Sequence, residues 1–289
     1  MGAVDDYMKP MHTIAQPISV TYSESPISKM MPFHSHLHHE IYYFNGGAVN
    51  YLIGDKLYEL APGDLILMHG MTLHCPHMAS GNEYRRTTIH FDPDYVQGLA
   101  GPSFGVNVLQ PFQELRNHRL RLLGADREEV ERLLVRLTNM HTIQDPVAYR
   151  RLLAAFLELL LLIHGLCEKP MEARAEVVSD KALHVQNMIS YLEEHYTEDL
   201  HLEQLEDALH LSKYYLSKIF KEVTGVTIFD FLYQRRINQA KIWLLREKKL
   251  SITDIGYQAG FKHPSHFSRM FKGLVGSTPE QYRRHHSSS

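Results

Sequence analysis

Two cysteines in 289 residues, Cys75 and Cys167, cannot build a disulfide framework and lack the paired spacing of a zinc site. No apolar run reaches the roughly 18 residues of a membrane helix. The nearest approach, Leu152 to Leu166, is interrupted by Glu158 and His164. The opening residues, MGAVDDYMKPMH, have no basic stretch followed by an apolar core, so no signal peptide is expected, and Asp6 stands where myristoylation would want Ser or Thr. The expected home is a reducing cytoplasm, away from the membrane. Net charge is nearly missing too, at −3. That total hides a separation. From Leu209 onward there are fourteen Lys or Arg against five Asp or Glu, a net of +9, which leaves −12 for residues 1–208. A basic end on an acidic chain is the footprint of a phosphate-binding module.

That basic end repeats itself at a spacing of 50 to 51 residues, so one small unit occurs twice. Leu202, Leu205, Leu209 and Leu211 align with Ile252, Ile255, Ala259 and Phe261. Leu216, Phe220, Lys221, Gly225 and Thr227 then align with Phe267, Phe271, Lys272, Gly276 and Thr278. Within each copy the apolar spacing predicts a helix, a break and a second helix, which is a helix-turn-helix. Ser212 suits an N-cap, and Pro264 suits the first turn of a helix. The polar stripe of each second helix carries donors for base edges and phosphates: Lys213, Tyr214, Ser217, Lys218 and Lys221, then His263, Ser265, His266, Ser268, Arg269 and Lys272. An ordinary solvated face would also be polar, but it would not concentrate the positive charge of the chain.

The text LEQLEDALHLSKYYLSKIFKEVTG, RRINQAKIWL, ITDIGYQAGF and FSRMFKGLVGSTPEQYR resembles the DNA-binding domain of AraC family transcription regulators. The resemblance implies two helix-turn-helix units on a long linking helix that carries Arg236, Ile237, Ala240, Leu244 and Leu245. It also implies two successive major grooves of double-stranded DNA as the target. Glu206 and Gly256 stand where the family usually has Ala, so Glu206 must find a partner and Gly256 should weaken its helix by roughly 1 kcal/mol.

Toward the N-terminus, short apolar runs at Ile41–Phe44, Val49–Ile53, Leu57–Leu60, Leu65–Met68 and Thr87–Phe91 alternate with turn signals at Gly46-Gly47, Gly54-Asp55 and Pro62-Gly63. They predict a small barrel or double-sheet roll. HSHLHHEIYYFNGG, and APGD followed by His74, resemble a cupin, a sensor domain common in the same family. The resemblance implies a pocket for a small-molecule effector, with sugars as the class the family suggests. His34, His36, Glu40, Tyr42, His74 and His90 are the expected effector-binding residues, with Tyr43 and Tyr51 as further hydrogen-bonding aromatics. His34, His36, Glu40 and His74 also match, in type and position, the metal ligands of metal-containing cupins. Sensor domains of this family often keep such positions without a metal, so the expectation is no metal and no other cofactor. His38, His39 and His69 crowd the set.

The expected fold class is α+β: a cupin-like sensor at 1–110, a helical connector at 111–168, a tether at 169–181 and an all-α DNA reader at 182–286. The two units fall at 202–223 and 252–274. Helices are expected at Arg127–Met140 and Val147–Leu166, the latter so apolar that it must be buried against the sensor or a second chain. A homodimer through this region is the family's implication, and burial within one chain is the alternative. The functional expectation is an effector-responsive regulator that activates transcription, with RNA polymerase as a partner. A cupin enzyme would not need the basic repeat. A constitutive DNA-binding protein that uses the barrel only as a scaffold would.

Overall fold

The computed structural model describes residues 17–26, 33–78, 83–101, 104–115, 117–141, 145–168 and 179–286. The opening residues and the 169–178 part of the expected tether lie outside the described residues.

Among the described residues, eight strands form two antiparallel sheets. In the first, β1 (Ile18–Pro26), β7 (Glu83–Phe91), β2 (His39–Gly47), β5 (Asp64–Met68) and β8 (His118–Arg121) lie side by side in that order. In the second, β3 (Val49–Ile53) sits between β4 (Lys56–Glu59) and β6 (His74–Met78). β2 explains the architecture. Every residue from His39 to Phe44 is buried because its two faces serve different cores. Ile41 and Tyr43 point outward into a core shared with α1 (Pro93–Leu99), α2 (Gln110–Glu114), α3 (Gly124–His141) and α4 (Pro146–Glu168). Tyr42 and Phe44 point into the interior between the sheets, with Val49, Tyr51, Ile53, Ile66, Met68 and Tyr84. The expected strands are all present. β1, β6 and β8 escaped the sequence reading: β6 and β8 carry no clean apolar alternation, whereas Ile18, Val20 and Tyr22 along β1 were a usable signal.

β8 corrects the expected 111–168 connector, which is not wholly helical: residues 118–121 complete the sheet against β5. The reason is electrostatic. Arg119 Nη2 lies 3.0 Å from the fully buried Asp64 carboxylate, whose other oxygen faces Arg121 at 3.6 Å. A buried charge needs its partner close by.

α4 changes the case for a dimer. Leu152, Leu153, Phe156, Leu159, Leu160, Ile163 and Leu166 are all buried in the same core as β1, β2 and α3. The apolar run is thus used within the chain, and the surplus that pointed to a second copy shrinks to Val135, Val147 and Leu161.

The C-terminal part is helical: α5 (Asp180–His195), α6 (Leu202–Leu209), α7 (Lys213–Thr224), α8 (Ile228–Arg246), α9 (Ile252–Gln258), α10 (Pro264–Val275) and α11 (Pro279–His286). It holds two cores strung on α8. The N-terminal half of α8 gives Ile228, Phe231 and Leu232 to a core with α5, α6 and α7 that also takes in Phe33, Leu52, Leu73 and Cys75 of the sensor. Its C-terminal half gives Ile237, Ala240 and Leu244 to a core with α9, α10 and α11. Both departures from the family text find physical reasons. The Glu206 carboxylate accepts from the Lys213 backbone N–H at 3.3 Å, one of the unpaired donors at the start of α7. At Gly256 a Cβ would lie 2.9 Å from Phe267 Cδ1. Gly256→Ala is therefore expected to lose about 1 kcal/mol in urea unfolding, because overpacking outweighs the gain in helix propensity. Stabilisation by the substitution would show that Phe267 yields freely.

Candidate nucleic-acid interface and sensor site

The repeat holds in three dimensions. α7 and α10 end on Gly225 (φ 81, ψ −8) and Gly276 (φ 84, ψ −9), each donating its N–H to the carbonyl of the aligned lysine, Lys221 or Lys272. Each buries a matched pair, Leu216 with Phe220 and Phe267 with Phe271. The opposite faces therefore come into equivalent register. Ser217, Lys218 and Lys221 on α7 correspond to Ser268, Arg269 and Lys272 on α10.

Most of the expected DNA-facing residues are exposed: Lys213, Tyr214, Ser217, Lys218 and Lys221 on α7, and His263, Ser265, Arg269 and Lys272 on or beside α10. Tyr214 is 77% exposed, an unusual position for a tyrosine with no core to fill. Ser268 is half-buried. His266 departs from expectation. Its ring packs on Tyr233 at 5.5 Å and Phe261 at 5.6 Å, so it supports the unit's core more than it faces outward. Lys213 is held by Glu203 at 2.9 Å, an exposed pair that a phosphate oxygen could readily displace.

In the sensor, four of the expected residues converge. The fully buried Glu40 points Oε2 at His36 Nε2 (3.3 Å), His74 Nε2 (3.5 Å) and His90 Nε2 (3.2 Å). β2 supplies Glu40, β6 His74 and β7 His90, while His36 enters from the segment before β2. Burial alone would raise the Glu40 carboxyl, but His90, then His36 and His74, hold it well below the ordinary carboxylate range. Burial pushes His74 down, and its neighbours His34 and His36 add to that against the pull of Glu40. His34 joins the group edge-on to His74, with ring centroids 4.0 Å apart.

The crowding sorts itself by strand parity. His39 lies on the outer face, where its ring stacks on Phe112 and Nδ1 accepts from Gly70 N–H at 3.0 Å; burial pushes it down to about 4. Tyr43 also faces outward and donates to Glu131, so it does not line the interior. Tyr42 and Tyr51 do. The hydroxyls of Tyr42 and Tyr84 are 2.9 Å apart, and the Arg86 guanidinium lies 4.7 Å over the Tyr84 ring. Arg86 Nη1 is buried with no hydrogen-bond partner. Sequence reasoning missed Tyr84 and Arg86, although the alternation Tyr84, Arg86, Thr88, His90 along β7 was a usable signal.

Sensor and reader also touch. On α8, Asn238 Nδ2 donates to Met71 O at 3.0 Å, while Ser35 Oγ donates to Asn238 Oδ1 at 2.6 Å. Lys241 Nζ donates to Ser35 O at 3.1 Å, and Asn50 on β3 donates to Val223 O at 3.1 Å. Burial pushes Lys241 down from 10.5 to about 8. Between those values the unfolded chain holds a proton that the folded chain has lost, so stability rises as pH climbs from about 8 toward 10. Urea unfolding at both ends of that window checks it. Lys241→Met should abolish this part of the slope, and an unchanged slope would contradict the assignment.

Residues 17–174 match the family described as an AraC-like ligand binding domain, and residues 205–285 match a helix-turn-helix domain. The HTH-type transcriptional activator RhaS of Citrobacter koseri is 25% identical over 255 residues, covering 88% of this chain and 87% of that protein. An uncharacterised HTH-type transcriptional regulator of Pseudoalteromonas carrageenovora is 35% identical over 117 residues, covering 40% of this chain and 69% of that protein. Among solved structures, ToxT from Vibrio cholerae covers 94% of this chain and 99% of its own, at 15% identity and a TM-score of 0.36.

Proposed function

This chain belongs to the AraC family of transcription regulators, with a ligand-binding and a DNA-binding domain and no enzymatic role, and on that premise we propose that it activates transcription in response to a small polar effector. The observation that carries the reading is the matched register of α7 and α10 on one connecting helix. α8 is 19 residues long, about 28 Å at 1.5 Å per residue. That length suits two recognition helices in successive major grooves, which lie one duplex turn, roughly 34 Å, apart. One chain then reads two different blocks of sequence without needing a palindrome. Activation is supported by the name that relatives such as RhaS carry. RNA polymerase is then the partner at the promoter, and the cytoplasm the place of work. A homodimer would rest on the apolar side chains exposed along α3 and α4, Val135, Val147 and Leu161.

The effector occupies the interior between the sheets, where Tyr42, Tyr84, Arg86 and His90 offer hydrogen bonds beside apolar walls. The unpartnered Arg86 nitrogen supports a ligand with oxygen acceptors, of which a sugar is one class.

Two substitutions separate base reading from phosphate binding. Arg269→Ala is expected to cost about 1 to 3 kcal/mol on the specific site and to relax base choice at one position. Lys221→Ala should weaken all sequences alike and flatten the salt dependence. Titrations on specific and random DNA at several salt concentrations check both. Equal loss on the two DNAs for Arg269→Ala would remove its base-reading role.

A further inference from the structure

We propose that two sensor residues, Asn50 and His77, cap the C-terminal end of α7 and act as positioning residues for DNA reading, so that the sensor governs the first DNA block and leaves the second to α10. The inference rests on the reading of the chain as an effector-responsive DNA reader, and it names the element through which that response reaches DNA.

Helix chemistry is the first argument. The last carbonyls of a helix have no partner within it and must find donors elsewhere. At the end of α7 the Gly225 N–H serves Lys221 O, but the Val223 carbonyl accepts from Asn50 Nδ2 at 3.1 Å, and the Glu222 carbonyl accepts from His77 Nε2 at 3.1 Å. Both donors belong to the sensor, where Asn50 on β3 and His77 on β6 are directly paired across the small sheet. Two residues along, the pair Leu52 and Cys75 joins Phe220 and Val223 in the first core. Gln186 on α5 closes the seam, accepting from the Leu57 N–H at 2.8 Å and donating to Asp55 O at 2.8 Å.

Asymmetry is the second argument. α7 and α10 match in their buried pairs and in their glycine ends, yet only one of them is seated on the sensor. Val223 is 6% exposed, whereas its counterpart Leu274 is 41% exposed. A Cβ on Gly273, the counterpart of Glu222, would meet nothing within 4 Å. Among the described residues, the core behind α10 takes nothing from the sensor.

Strand parity supplies the route. Successive side chains of a strand face opposite sides of its sheet. Asn50 and Leu52 face the reader, while Tyr51 and Ile53 between and beside them face the interior. On β6, Cys75 faces the reader and His74 turns inward to Glu40. A change in what the interior holds therefore acts on the two strands that carry the cap. Asn238 and Lys241 fasten α8 to the sensor as well, so a shift of β3 and β6 tilts α7 against a held α8 instead of carrying the whole reader along. An effector can bias the reader only through such a differential contact.

The test uses the full chain and two DNA probes from the flank of its own gene, each keeping one protected block and scrambling the other, with Lys218→Ala identifying the first block. Asn50→Asp keeps the side chain's shape but sets a negative charge at the negative end of a helix. His77→Ala removes the other donor. Each should weaken binding to the first-block probe by about 5- to 10-fold and leave the second-block probe within about 2-fold. His77→Gln, which keeps a donor, should restore first-block binding. In the unaltered chain, hydrogen exchange at the last-turn amides of α7 should be at least about 10-fold slower than at those of α10. Equal loss on both probes, no loss on either, a loss that His77→Gln does not restore, or equal exchange in the two last turns would overturn the proposal. The exchange comparison needs no substitution, so it judges the cap even where a variant fails to fold. Failure of the unaltered chain to bind either probe would strike the regulator reading instead, while the exchange rates still decide whether α7 is held by the sensor.

Discussion

Phe267→Ala is expected to erase one half of the DNA footprint and leave the other half standing. Phe267 is fully buried in the second core, packed on Phe261 and Phe271, with its ring against Gly256. Truncating such a phenylalanine costs about 3 to 5 kcal/mol, enough to release a unit this small. α10 then loses the surface that holds it on α8. The first core draws on α5, α6, α7, the other half of α8 and the sensor residues Phe33, Leu52, Leu73 and Cys75, and it is predicted to survive. Affinity for the full site should fall at least about 100-fold, corresponding to the loss of two good base contacts. Circular dichroism with footprinting on the same sample checks the separation. Loss of both protected blocks would mean that the two cores fold as one.

The second large effect lies in the sensor. Asp64→Ala leaves Arg119 in a buried place without its carboxylate, and breaking such a pair costs about 3 to 5 kcal/mol. It also removes the acceptor of the Ala61 N–H at 2.7 Å, which closes the turn before β5. The sensor should melt earlier in a thermal scan while the second unit's core, which takes no residue from the sensor, keeps its transition in place. Asp64→Asn, which keeps the turn acceptor and loses the charge, should fall between the two. A melting point unchanged by Asp64→Ala would show that β8 is held by its backbone bonds alone.

Much of this was legible from the sequence where a residue's role is local. The helix breaks at Ser212 and Pro264 and the strand runs follow from spacing and residue type, while the expected effector set His34, His36, Glu40, Tyr42, His74 and His90 comes from the cupin resemblance. What escaped depends on residues far apart in the chain. Nothing near Arg119 announces that its partner is Asp64, so β8 was hidden within an expected helical stretch. Two-sided burial made β2 look like a uniform apolar run, and only the folded sheet shows that Tyr42 faces the interior and Tyr43 the helices. The destination of α4 was undecidable for the same reason, since an apolar helix buries equally well against its own sheet or a second copy. Ser35, Asn238 and Lys241 looked like ordinary polar residues until the fold brought them together.

The most direct test of the account is hydroxyl-radical footprinting of the full chain on DNA flanking its own gene, with Lys218→Ala and Arg269→Ala alongside. Two protected blocks about 10 base pairs apart on one face of the duplex are predicted, one weakened by each substitution. A single block, or two substitutions that weaken the same block, would contradict a reader built from two equivalent units on α8.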